Sequence, residues 1–161
     1  MKNFLLKTGL ALAFFTVLTC NIACSKDDSA ADIEKEMVTD IATNILQLVN
    51  EHRSSIGKQI LETNILAEDL AEEHNMFMIS QGNIGHENFD YRANRLFDEE
   101  NARGVGENVA FKQVSAQQVM TAWLNSTDHR KNIEGNFSHI GVSVVKSESG
   151  IYYFTQLFLK K

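Results

Sequence analysis

The segment Ile151 to Leu159 is apolar on both faces, which marks it as a central strand with protein above and below it. A second strand precedes it. In His139-Ile140-Gly141-Val142-Ser143-Val144-Val145, the residues Ile140, Val142 and Val144 alternate with His139, Gly141 and Ser143, the period-two pattern of a half-buried strand. The residues that follow His139 on its own face are small, which leaves room for something to approach the imidazole. Ser147 to Gly150 supplies the turn between the two strands. Upstream, Ser115 caps a helix that turns Val119, Met120, Trp123 and Leu124 inward, and Asn125-Ser126-Thr127-Asp128 is a stop followed by a fresh cap. From Ser115 to Phe158 a helix, a polar turn and two strands thus follow with almost no slack, and the rest of the chain must pack around them.

The earlier part supplies helices. Val38, Ile41, Ile45, Leu48, Val49 and His52 fall at helical spacing, a helix that ends near Ser55 with Gly57 just past it; His52 at its edge reads as a packing or capping residue. Ile60 to Asn64 reads as a connecting turn. Leu66, Leu70, Ala71, His74, Phe77 and Met78 mark a second helix stopped near Gly82, with His74 as a satisfied core histidine. A third, shorter helix starts around Asp90 as its cap and carries Ala93, Leu96 and Phe97. Gly104 to Phe111 then reads as a strand. The order helix, helix, helix, strand, helix, strand, strand predicts an α+β fold, a three-layer α-β-α sandwich with a short, largely antiparallel central sheet.

That domain does not begin at Met1. Lys2 and Lys7 form a short basic region, Leu10 to Leu18 is an apolar stretch too short to span a bilayer, and Cys20 and Cys24 follow, the pattern of an export signal. With both cysteines of the chain at the end of this stretch, a disulfide framework for the domain is excluded. Both Val17-Leu18-Thr19-Cys20 and Asn21-Ile22-Ala23-Cys24 resemble a bacterial lipoprotein cleavage box. Cys24 is the expected lipidation site, because Cys24-Ser25-Lys26-Asp27-Asp28 resembles the start of mature surface lipoproteins in Bacteroidetes-type bacteria. The expected organisation is a signal peptide over 1–23, a flexible tether over 24–36 and one domain over 37–161, held to the outer membrane by acyl chains and exposed at the surface. In a chain of 161 residues there is no comfortable room for a second core.

Charge narrows the partners. The formal net charge is −6, and loss of residues 1–23 takes away only Lys2 and Lys7, so the mature chain is more acidic still. Arg130-Lys131 and Lys160-Lys161 are only pairs, so nucleic acid and anionic lipid surfaces are not expected partners. A small molecule, lipid, glycan or protein remains.

Three residues at loop or strand-edge positions stand out for chemistry: His86, Glu107 and His139. Glu107 shares a strand face with Val105, Val109 and Phe111, which puts a carboxylate among apolar side chains. There it must neutralise, find a cation, a metal or hydrogen-bond donors, or reach water from an edge strand. Two imidazoles and a carboxylate can form the three-ligand set that leaves a zinc position open. Asp128-His129-Arg130-Lys131-Asn132 reads instead as a structural turn whose polar side chains satisfy backbone groups at the helix end.

A series of motifs carries a resemblance. Gly85-His86-Glu87-Asn88-Phe89-Asp90-Tyr91-Arg92, Gly106-Glu107-Asn108-Val109-Ala110, Ala122-Trp123-Leu124-Asn125-Ser126-Thr127-Asp128-His129-Arg130-Lys131-Asn132-Ile133, Phe137-Ser138-His139-Ile140-Gly141-Val142 and Tyr153-Phe154-Thr155-Gln156-Leu157-Phe158 occur in that order. Together they resemble the bacterial branch of the CAP superfamily, the cysteine-rich secretory, antigen 5 and pathogenesis-related 1 proteins, or SCP domain. The resemblance implies an α-β-α sandwich with an open cleft lined by two histidines and two acidic residues. By motif, these positions are His86, Glu107 and His139, with Ser126 where eukaryotic members carry the second acid. It implies a binding module holding a divalent metal, zinc or magnesium, or a polar or lipid ligand. The alternatives are a metal-dependent hydrolase acting on peptides or cell-wall material through zinc-bound water, and a scaffold with an idle cleft. The lost acid at Ser126 favours binding over catalysis.

Overall fold

The computed structural model describes residues 29–161, so the stretch expected as an export signal, with Cys20 and Cys24, lies outside the described residues. In chain order the elements are α1 (Ala30–Ser55), β1 (Glu62–Thr63), α2 (Ile65–Gln81), α3 (Phe89–Glu100), β2 (Gly104–Phe111), α4 (Ala116–Asn125), α5 (Thr127–Ile133), β3 (His139–Lys146) and β4 (Tyr152–Lys160). The sheet runs β1-β3-β4-β2, antiparallel except where β1 joins β3 in parallel. β4 is central, as its two apolar faces require.

Its two faces make the three layers. On one side Phe154 and Phe158 of β4 and Ile140 and Val144 of β3 pack against Ile45 and Val49 of α1 and Val119 and Trp123 of α4. On the other, Leu157 and Leu159 meet Ala67, Leu70 and Ala71 of α2 and Leu96 of α3. The sandwich follows directly from β4, because each face of that strand carries side chains that water would leave unpaired with anything apolar.

Several element ends differ from the sequence expectation. α1 starts at Ala30 rather than beyond Glu36, within the stretch expected as tether, because Ser29 Oγ accepts the Asp32 N–H and donates to the Asp32 carboxylate. α3 is entered through Asn88 in the left-handed region, φ 60°, with no side-chain cap bond, so Asp90 lies inside the helix and not at its cap. Ile60 to Asn64 holds the two-residue strand β1, and the helix after Ser126 is a separate element, α5. Ser115 does cap α4, accepting the Gln118 N–H. His52 pairs with Glu134 at 3.0 Å, beside Arg53, whose buried guanidinium donates to the carbonyls of Gln59, Ile133, Gly135 and Phe137. This joint pins the end of α1 to the turn that leads into β3.

Candidate functional site

Glu107 lies in β2 on the α2/α3 face, with its side chain 2% exposed. Its cation comes from α3. Arg92 sits in the inward stripe of that helix with Ala93 and Leu96, buried, and donates Nε to Glu107 Oε2 at 2.7 Å and Nη2 to Oε1 at 2.9 Å. Its third arm, Nη1, donates to the Glu87 carbonyl at 2.8 Å and so fixes the loop that carries His86. Such a fork-to-fork pair holds a buried carboxylate in one orientation.

His86 closes the arrangement from outside. Its Nδ1 lies 2.8 Å from Glu107 Oε1, and because a carboxylate only accepts, Nδ1 carries the hydrogen. The imidazole is half exposed, so Nε2 is left for a ligand. The bond to Glu107 raises the His86 pKa, and burial opposes it. Behind it, buried His74 places Nε2 2.9 Å from the Gly85 carbonyl and 3.9 Å from Glu107 Oε1. Nδ1 of His74 has no hydrogen-bond partner among the described residues, so this histidine is only half satisfied.

His129 lies on α5, which is tied to the other side of β2. α5 is docked on β2 by Asn132, whose Nδ2 donates to the Glu107 carbonyl and to Asn108 Oδ1, both at 2.9 Å. Asn108, the residue after Glu107, returns a bond to the His129 carbonyl at 3.1 Å. The polar residues of this turn therefore satisfy backbone groups as its sequence suggests. Its histidine does more, because it lies within range of the charge on His86. Burial lowers the His129 pKa first, and that charge lowers it further. The two imidazoles are thus pushed in opposite directions, His86 by its bond to Glu107 and His129 by burial and the charge on His86.

His139 is not part of this group. Glu107 pairs with Leu157 and His139 with Leu159, on opposite sides of β4, so His139 stands across the central strand and two residues along it. Leu157 and Leu159, with Ala67 and Leu70, fill the face between them. His139 Nδ1 meets Ser138 Oγ at 2.8 Å, and Nε2 lies 3.7 Å from Glu62. The room beside it at Gly141 is taken by α2, since a Cβ there would lie 2.2 Å from the Ala67 backbone. The zinc or magnesium set of His86, Glu107 and His139 therefore does not assemble. Among the described residues no three His, Cys, Asp or Glu side chains converge as metal ligands, and both Glu107 oxygens already face a fixed cation. The donors do not fit a metal centre. Ser126 is half-buried at the α4–α5 junction, its N–H on the Trp123 carbonyl and its own carbonyl on the Arg130 N–H.

The profile of the cysteine-rich secretory protein family, CAP, matches residues 46–158. The chain belongs to this family. Among curated relatives the CAP chain is 31% identical over 147 residues to the uncharacterised Bacillus subtilis protein YkwD, covering 88% of this chain and 52% of that protein. It is 29% identical over 131 residues to the uncharacterised membrane protein YlbC of the same organism, covering 79% of this chain and 36% of that one. The chain thus spans about half the length, or less, of these relatives. Its fold matches an outer surface protein of Borrelia burgdorferi at TM-score 0.70 and 22% identity, over 77% of this chain and 95% of the other. An extracellular Bacillus anthracis protein containing an SCP domain matches at TM-score 0.70 and 25% identity, over 83% of this chain and 44% of the other. Among the described residues no helix is long and apolar enough to cross a membrane.

Arg92 and His129 are the two site residues that motif transfer passes over. Arg92 had a signal, since it falls in the inward helical stripe of α3, where an arginine must find a carboxylate or a set of carbonyl acceptors. His129 had none beyond its presence in a polar turn.

Proposed function

We propose that this CAP domain is an exported binding module, anchored at Cys24 and displayed at the cell surface, that captures an anionic oxygen group between His86 and His129. A carboxylate or a phosphate has the required chemistry. The observation that carries the reading is the commitment of Glu107. With both oxygens bonded to Arg92 and one also to His86, it is a positioning group and not a free base or ligand. It holds the His86 ring with Nδ1 inward and favours its cationic form, so Nε2–H is offered outward as a charge-assisted donor. His129, with its pKa lowered by burial and by the charge on His86, supplies a second, neutral ring within range of that charge. The export signal supports surface display, as do the names of two structural neighbours, an outer surface protein and an extracellular protein.

The test is an NMR titration of the His86 and His129 ring signals with acetate and with inorganic phosphate. A saturable shift of both rings, with the His86 midpoint raised further by the anion, is expected in the parent and not in His86→Ala. Anions that move neither ring would refute the reading. A calorimetric titration of zinc and magnesium beside His86→Ala/His139→Ala separates it from a metal site. The two proteins should give the same trace; saturable binding lost in the variant would instead restore the metal.

A further inference from the structure

The sheet has an edge that its own chain leaves partly open, well apart from the histidine site. β1 pairs with β3 only at Glu62↔His139 and Thr63↔Ile140. Asn64 then leaves the sheet, its N–H bonded to the Ile140 carbonyl and its side chain accepting the Ala67 N–H to start α2. Glu62 N–H goes to Ser138 O and Asn64 N–H to Ile140 O, so the even-numbered residues of β3 turn their backbone groups toward this edge. Val142 and Val144 continue that series. β1 ends before reaching them, and among the described residues no other strand takes its place.

This edge lies in a groove of about 360 Å³ between α1 and α2. Its walls differ. α1 lines it with Val38, Ala42 and Leu46, on the side to which Val142 and Val144 turn their side chains, together with Thr39, Thr43 and, at one end, Lys35, whereas α2 lines it with Glu68, Asp69 and Glu72. Burial and the neighbouring Asp69 carboxylate both raise the Glu68 pKa, the mark of negative charge held without enough compensation. Native edges are blunted by lysines, prolines or bulges. Here the lysine at the end of β3, Lys146, is turned to Glu34 at 3.4 Å and lies over the Tyr152 ring. Within β3 itself the stretch from Gly141 to Val145 carries no lysine, proline or charge; the one lysine lining the groove, Lys35, belongs to α1.

We propose that this groove is a second binding site, one that takes an extended segment of a partner protein as an added strand beside Val142–Val144. The two walls set the segment's pattern. Side chains of a strand alternate between faces, so residues turned to α1 are apolar and those turned to α2 are lysine or arginine. Six residues of β3, Gly141 to Lys146, are left uncovered by β1, which sets the length of the segment. Backbone bonds to Val142 and Val144 supply affinity, and the acidic wall selects the basic pattern over its acidic counterpart.

The test is a titration of the full-length chain with a fluorescein-labelled heptapeptide of alternating valine and lysine, beside one of alternating valine and glutamate. Anisotropy reads affinity, and amide hydrogen exchange reads the mode. The lysine peptide should saturate and weaken with salt, with the glutamate peptide at least about tenfold weaker. Exchange at Val142 and Val144 should slow at least about tenfold on binding, while the His86 ring signal stays unchanged. Glu68→Gln/Glu72→Gln should weaken the lysine peptide by about tenfold and leave the glutamate peptide where it was. If that variant does not fold, the exchange measurement on the parent decides alone. Equal affinity for the two peptides, or binding without protection of Val142 and Val144, overturns the proposal. Protection of these amides before any peptide is added also overturns it. If that protection grows with protein concentration the occupant is a second copy; if not, it is the chain's own N-terminal segment.

Discussion

Arg92 of α3 grips both oxygens of Glu107 in β2, at 2.7 and 2.9 Å, with less than one-twentieth of either side chain exposed. Removing one partner strands a buried charge, whereas removing both takes away both charges and leaves only the neutral Glu87 carbonyl and the half-exposed His86 ring to find new partners. Arg92→Ala is therefore expected to destabilise the protein by about 3–5 kcal/mol, and Arg92→Leu/Glu107→Leu to recover most of that loss. Urea unfolding of the two variants beside the parent checks this. A double variant that loses as much as the single one would show that the pair is not the source of the effect.

The same carboxylate sets the charge on His86. Its hydrogen bond raises the His86 pKa in the folded chain, so the bond stabilises fully below the ordinary histidine range and loses its effect as pH rises through the raised midpoint. Glu107→Gln should move the His86 midpoint down, because the charge and the strong acceptor leave together. In His86→Ala, by contrast, the His129 midpoint should rise, since one of the two causes that lower it is gone while burial remains. Ring-proton NMR titration reads both. A His129 midpoint that ignores His86 would separate the two rings.

Much of this was legible in the chain. Apolar residues on both faces of β4 announced a central strand, and with it the two outer layers. The buried carboxylate at Glu107 was legible too, although its partner was left open among cation, metal and donors. What sequence could not carry was lateral position. The register of the sheet puts His139 on the same face as Glu107, but a period of two within each strand says nothing of the strand that stands between them, and Leu157 and Leu159 of β4 fill that interval. Glu62–Thr63 is too short for any periodicity to show, and Ala30 to Glu36 is polar enough to read as tether because α1 there has no core to face beyond scattered contacts. His129 was hidden for a different reason: it comes within range of the charge on His86 only because α5 is tied to β2 through Asn132 and Asn108.

His74 makes acid the weak side of this fold. Burial lowers its pKa, more than the Glu107 charge raises it, so the native state resists a proton that the unfolded chain accepts. Stability from this group is present above about pH 6.5, the unfolded histidine value, and declines as pH falls below it. His74→Gln keeps a donor for the Gly85 carbonyl and removes the titration. Its unfolding free energy should accordingly change less between pH 7 and pH 5 than that of the parent, whatever its value at pH 7. An equal slope in both proteins would place the acid sensitivity elsewhere.

Gly141 tests how α2 is seated on the sheet. A Cβ at this position would lie 2.2 Å from the Ala67 carbonyl carbon, 2.3 Å from the Glu68 nitrogen and 2.6 Å from the Ala67 Cβ. Two of these three atoms are helix backbone, which cannot rotate aside as a long side chain can. Gly141→Ala must therefore push the first turn of α2 off β3, and with it Leu70 and Ala71 from Leu157 and Leu159. A loss of about 3 kcal/mol is expected, at the upper end for overpacking a close-packed interior. Adding Ala67→Gly removes only the Cβ contact, so it should restore little. Full rescue by Ala67→Gly in thermal or urea unfolding would mean that the helix rests on side chains here and that the backbone approach is looser than these distances give.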